Sequence, residues 1–330
     1  MNGNSLMGVS VWLCAAGMAF LTRGAGAAER SARPALSWAK DDSSLALKRG
    51  GKVLWQYNYG KTEPKPHFHP LCLPDGTVLT WLRPGDHIWH LAGWFSWKYV
   101  NGVLYWETDR KGKAPGRTEI VRAKVATAKD FSATIELDLS YHPWGKPAVL
   151  TEKRVVRVGA PGADGDYRID WTGSWTAGAA DVVLDRTPIP GQKGGAGHGG
   201  YAGLSLRLAP HTRGWTFLDS QGRSYPRQGG KPARIMHGKA AKWLDYSGPT
   251  KGGSAGGVAI LDHPKNLRHP AKWYANAGMP YFSPAVIFDR PHTLPAGKSL
   301  TLRYRIVVHT GRGRKDSLER MWQAFAKEAS

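Results

Sequence analysis

Cysteine is almost absent. Only Cys14 and Cys72 occur in 330 residues, and Cys14 lies in an N-terminal segment expected to be removed, so no disulfide framework holds this chain together. Cys72 then reads as a small buried hydrophobe. Acidic residues are scarce as well: 25 Asp and Glu stand against 46 Lys and Arg, a formal net charge of +21. That excess favours anionic partners in general. The cations are scattered singly, as in RLAPHTRGWTFLDSQGRSYPR, and basic helix, zinc-finger spacing and RNP-type motif are all lacking, so no nucleic-acid partner is expected. Beyond residue 28 no apolar run reaches about 18 residues, which excludes a bundle of membrane-spanning helices. Sustained helical periodicity is missing until the C-terminal end.

The first 28 residues carry the apolar run LMGVSVWLCAAGMAFL, then Arg23 and the small residues AGA ending at Ala27. This pattern predicts a signal peptide over 1–28 and export to the periplasm or the extracellular space, with no stable membrane insertion after cleavage. Residues 29–330 then form one domain. Short alternating runs recur between Gly, Pro, Asn and Asp clusters, among them SLALKRGGKVLWQYNYG, SATIELDLSYHP, TEKRVVRVGAPGADGDYRIDWTGSWTA and SLTLRYRIVVHTG. Glycines in KRGGKV and GADGDY sit where hairpin turns belong. The pattern predicts an all-β fold, a large antiparallel β-sandwich closed by one C-terminal helix at about 315–328. Asp316 is its expected N-cap, and Leu318, Met321, Trp322 and Phe325 share one face.

The chemistry concentrates in two regions. Five tryptophans, Trp81, Trp89, Trp94, Trp97 and Trp106, surround DHIWH, which places Asp86, His87 and His90 within five residues; Glu107 follows closely, and KPHFHP adds His67 and His69. Histidine serves proton transfer near neutral pH, a carboxylate beside it fixes its tautomer, and flat indole faces suit the apolar faces of sugar rings. The same side chains suit a divalent metal, and spacing alone does not separate the two uses. Far away, LDHPKNLRHPAKWYANAGMPYFSP supplies Arg268, His269, Trp273 and Tyr274, and the Gly-rich GQKGGAGHGGYAG supplies His198 and Tyr201. The candidate catalytic set is therefore His87, His90, Asp86, Glu107 and His269. The candidate sugar-binding set is His69, Trp97, Tyr201, Arg268, Trp273 and Tyr274. These polar, aromatic loops are expected to converge at one end of the sandwich.

The order PGDHIWH, WFSWKYVNGVLYWE, EKRVVRV, GGYAGLSLR, DHPKNLRHPAKWY and PAGKSLTLRYRIVVHTG resembles the PmoA-like family of bacterial domain-of-unknown-function proteins over nearly the whole mature chain. The resemblance implies a secreted β-sandwich from bacteria that degrade complex polysaccharides. The layout is also similar to the galactose mutarotase-like supersandwich, in which two histidines and a carboxylate act on a sugar in a shallow cleft. The expected function is a secreted carbohydrate-active enzyme, a hydrolase or lyase, whose ligand is a carbohydrate, anionic ones included. No cofactor is expected, and a divalent metal stays open. The alternatives are a noncatalytic glycan-binding sandwich and a metal-dependent oxygenase.

Overall fold

The computed structural model describes residues 34–111, 113–225 and 236–328, so the expected signal peptide lies outside the described residues. Two nine-stranded antiparallel sheets face each other across a common core. The first runs, edge to edge, through Leu36–Lys40, Ser44–Arg49, Lys52–Asn58, His67–Leu71, Gly93–Ser96, Gly203–Arg207, Tyr281–Pro284, Lys272–Asn276 and Lys239–Ala240. The second runs through Ser224–Tyr225, Thr216–Asp219, Trp243–Pro249, Ala255–Asp262, Ser299–Thr310, Tyr167–Ala177, Leu150–Val158, Ala133–Pro143 and Gly116–Thr127. A four-stranded sheet of His292–Leu294, Val182–Asp185, Tyr99–Val100 and Val103–Leu104 completes the all-β sandwich. Among the described residues no helix is long and apolar enough to cross a membrane.

Period-two burial explains the layering. In Tyr167–Ala177 every odd residue is buried, which puts Trp171 and Trp175 on the core face, where Phe95 of the first sheet stacks on Trp171 at 4.9 Å. The KRGGKV turn closes the Ser44–Arg49/Lys52–Asn58 hairpin with Gly50 and Gly51 both at positive φ, the conformation glycine adopts without steric cost. GADGDY likewise joins Leu150–Val158 to Tyr167–Ala177.

The helix is Lys315–Lys327, and its N-cap is Arg314 rather than Asp316, with no side-chain cap bond. Asp316 falls inside the first turn, where its charge complements the helix dipole. Leu318 and Phe325 are buried under the helix, while Met321 stays exposed. Glu319 accepts hydrogen bonds from Lys242 and from Trp243 Nε1, tying the helix to the second sheet.

Candidate active site

The same alternation decides which aromatics reach a ligand. In Gly93–Ser96 and the strand pair Lys272–Asn276/Tyr281–Pro284, Phe95, Trp273 and Phe282 belong to the main core, so Trp94, Tyr274 and Tyr281 stand on the opposite face in a separate cluster. There Tyr274 and Tyr281 floor a cleft of about 360 Å³, with Trp94 packed in the same cluster. Segment 87–90 adds His87, Trp89 and His90 to its walls, segment 106–107 adds Trp106 and Glu107, and the Gly-rich loop adds His198 and Tyr201. Asn276 and Met279, from the turn before Tyr281, complete it. Gly200 lies at φ 93°, and a Cβ there would meet the Phe288 ring at 2.5 Å, so glycine is what lets the loop deliver Tyr201 to the cleft.

Two arrangements dominate the chemistry. In the first, the Lys98 side chain, 4% exposed, donates to Glu107 Oε1 and to the Tyr201 hydroxyl at 2.7 Å, and Tyr201 donates to the same Glu107 oxygen at 3.2 Å. Burial lowers the ammonium pKa of Lys98, and the bond to Glu107 opposes that. Burial, reinforced by the Glu107 charge, raises the Tyr201 hydroxyl pKa, so Tyr201 keeps its proton. Behind them Lys65 is also buried, its pKa drawn down to about 8 by desolvation while the Glu107 charge pulls the other way. Glu107 Oε2 is buried and makes no hydrogen bond. An unsatisfied carboxylate oxygen on a cleft residue is the kind of group an active site retains.

In the second arrangement rings stack in series: Tyr281 on His90 at 5.4 Å and His90 on His87 at 4.6 Å. His90 is 4% exposed, and burial pushes its pKa well below the ordinary imidazole value, with the neighbouring His87 and Arg207 charges adding to the effect. It therefore acts as a neutral imidazole. Asp86 spends its short bonds on Arg207 Nη2, at 2.9 and 2.7 Å, and lies 3.5 Å from His87 Nδ1. Its geometry tethers the loop to the Gly203–Arg207 strand more than it orients an imidazole.

The structure brings His87, His90, Glu107, Tyr201 and Tyr274 together and leaves the other candidates outside the cleft. His269 does not join them: its Nδ1 bonds Asp262 at 2.8 Å and its ring stacks on Trp322, which places it under the C-terminal helix. Arg268 donates to the carbonyls of Arg290 and Pro291, a loop-fastening role. His69 bonds Thr80 Oγ1 at 3.0 Å. Trp97 and Trp273 are fully buried in the main core, Trp97 against Phe95 and Trp175, and Trp273 with its Nε1 on the Ala241 carbonyl, so neither offers a stacking face. The cleft is also not an end-of-sandwich assembly of loops, because Tyr274 and Tyr281 reach it from the outward face of a sheet. Lys98, Lys65, Tyr281 and Asn276 are the functional candidates that the motifs did not disclose. A cation inside the aromatic run WFSWKYV was the available signal for Lys98, since a charge there is buried only with a partner. Among the described residues no three His, Cys, Asp or Glu side chains are grouped to hold a metal ion.

His67, 1% exposed next to this site, donates from Nδ1 to the Lys65 carbonyl at 3.0 Å and has its pKa lowered to about 4 by burial. The unfolded chain takes up that proton near pH 6.5, so the stability from a neutral His67 is complete above pH 6.5 and falls as pH drops toward 4. At about 1.4 kcal/mol per pH unit the interval is worth about 3 kcal/mol. Denaturant unfolding at pH 7 and 4.5 is expected to show a flatter acid loss for His67→Asn than for wild type; equal losses would remove His67 from the account.

Residues 44–323 match the model of a family of unknown function, DUF6807. No curated protein matches the chain.

Proposed function

We propose that this chain, which belongs to the DUF6807 family, is an exported carbohydrate-active enzyme that performs acid–base chemistry on a sugar held in the aromatic cleft, and that the reaction is an elimination. One observation carries the choice of reaction: Glu107 is the sole carboxylate among the described residues that line the cleft. Most glycoside hydrolases need two carboxyl groups, roughly 5 to 9.5 Å apart, one as acid and one as base or nucleophile. Elimination needs one base, a proton donor for the leaving oxygen, and cations that stabilise charge developing on a carboxyl group next to the reacting carbon. Glu107 is suited to the base, with Lys98 and Tyr201 fixing its Oε1. It takes the proton from the carbon beside the sugar carboxyl, the ring double bond forms, and the glycosidic C–O bond breaks. His87 hands a proton to the leaving oxygen, and the neutral His90 behind it holds the ring in place by stacking. Trp89 and Tyr201, both partly exposed, offer faces to the sugar.

The PmoA-like and mutarotase-like resemblances support a sugar as ligand, and the pairing of buried Lys98 with the cleft-facing Glu107 supports an enzyme over a glycan-binding module, which has no use for an ionised pair in its wall. The test is product chemistry. Uronate disaccharides and oligosaccharides incubated with the protein are expected to give a product with ultraviolet absorbance from a double bond conjugated to the carboxyl. The product masses should sum to that of the substrate. Products heavier by one water, without that absorbance, would mean hydrolysis and sink the elimination; tight binding with no conversion would leave a binding module.

A further inference from the structure

Trp89 borders more than the cleft. That indole is also a wall of a second hollow of about 320 Å³, lined by Lys65, Arg83 and Arg110 among others. Pro64, Arg83 and Arg110 in turn border a third, of about 590 Å³. Arg117 and Trp144 carry that one into a fourth, of about 370 Å³, beside His142 and Lys146. Shared lining residues make the four hollows neighbours in series, a trough-like row with the cleft first and the hollow beside Trp144 last.

Its charge is one-sided. The carboxylates on its walls outside the cleft are Glu63, Asp109 and Glu119. Glu63 is paired with Arg83 and Glu119 with Arg117, while Asp109 accepts the backbone N–H groups of Lys111 and Lys113 at 2.8 Å each. Lys61, Arg110, Lys113 and Lys146 are exposed and make no ion pair with any described residue. Trp144 is 55% exposed, and the Lys113 ammonium lies 5.4 Å from its ring. An exposed indole beside a cation that has no carboxylate partner among the described residues matches a sugar ring that bears an acid group: the ring face meets the apolar surface and the carboxylate meets the ammonium.

We propose that this trough binds the length of a polyuronate chain whose reacting residue occupies the cleft. The proposal rests on the reading of the cleft as a sugar site and extends it to an acidic polymer. A nucleic acid fits less well, because single strands are held by successive bases on several aromatic rings and, among the described residues, Trp144 is the one largely exposed aromatic along these walls.

The experiment measures binding in the Glu107→Gln protein, so that turnover does not intervene. A long oligogalacturonate and digalacturonate are titrated at low and high salt into that protein. The same titrations are run on a version also carrying Lys61→Ser, Arg110→Ser and Lys146→Ser, and on one carrying Trp144→Ala. The long oligomer is expected to bind at least about 10-fold tighter than the dimer, and to lose that advantage in high salt and in the triple-serine version, because contacts between exposed charges are screened by salt. Trp144→Ala should weaken the long oligomer alone. Circular dichroism melts check folding, which surface serines leave intact. Equal affinity of the triple-serine version for the long oligomer, equally tight binding of single-stranded DNA, or no binding of the oligomer would overturn the trough. Polyuronate binding as expected, with no conversion by the unmodified enzyme, would instead overturn the reaction and leave the trough standing.

Discussion

Replacing Glu152 by Leu is expected to cost about 3–5 kcal/mol of stability, because it leaves a guanidinium in the core without its counter-charge. Glu152 and Arg154 stand two residues apart on the Leu150–Val158 strand, so both face inward, and each is 1% exposed. Arg154 Nε and Nη2 reach the two carboxylate oxygens at 2.6 and 3.0 Å. Tyr141 donates to the same carboxylate and accepts from Trp175 Nε1 at 3.2 Å, and the guanidinium carbon lies 5.1 Å from the centre of the Trp171 ring. Each partner is thus satisfied by the other, and removing one strands the other in a low-dielectric setting. The double change Glu152→Leu with Arg154→Met removes both charges and should recover most of the loss. Urea unfolding of the wild type, the single and the double variants decides the matter. A double variant as unstable as the single one would show that the loss comes from packing and not from the unpaired charge.

The Glu152–Arg154 pair also shows what the chain discloses before folding. TEKRVVRV reads as a strand by its alternation, yet the charged residues at 152 and 154 fall on the core face, and the pattern of apolar residues alone does not reveal that they neutralise each other there. The β-sandwich, both glycine hairpins and the terminal helix followed from periodicity and turn chemistry. For the cleft, proximity in sequence was informative and parity was decisive. His87, His90 and Glu107 lie in one dense segment and meet in one place. Trp97 and Trp273 have the right chemistry but share the parity of core residues, while their neighbours Lys98 and Tyr274 take the outward face. His269 was misplaced for another reason. Its partner Asp262 lies only seven positions away, but Trp322 meets it through the docking of the helix on the second sheet, a long-range contact that no local pattern encodes.

The arrangement around Glu107 makes the strongest functional expectation: Glu107→Gln should lower turnover about 1000-fold or more, in the range removed with a general base, while uronate binding changes little. The amide keeps the size of the carboxylate and can still accept from Lys98 and Tyr201, but it cannot take a proton from carbon. The substitution has a second consequence, because Lys98 is buried and its ammonium is matched by Glu107. With the carboxylate gone, desolvation acts on Lys98 unopposed at that contact, so its pKa falls further and the folded protein loses stability. A loss of activity from the single variant alone therefore mixes chemistry with folding. The double variant Glu107→Gln with Lys98→Met separates them: stability should return, since neither charge is left stranded, and activity should not. Lys98→Met alone should also impair turnover, through a base left less firmly held. If the Glu107→Gln protein retains activity within about 10-fold of wild type, the carboxylate is not the base. If the double variant regains activity together with stability, Glu107 and Lys98 are a structural pair, and the acid–base chemistry belongs to the stacked histidines across the cleft.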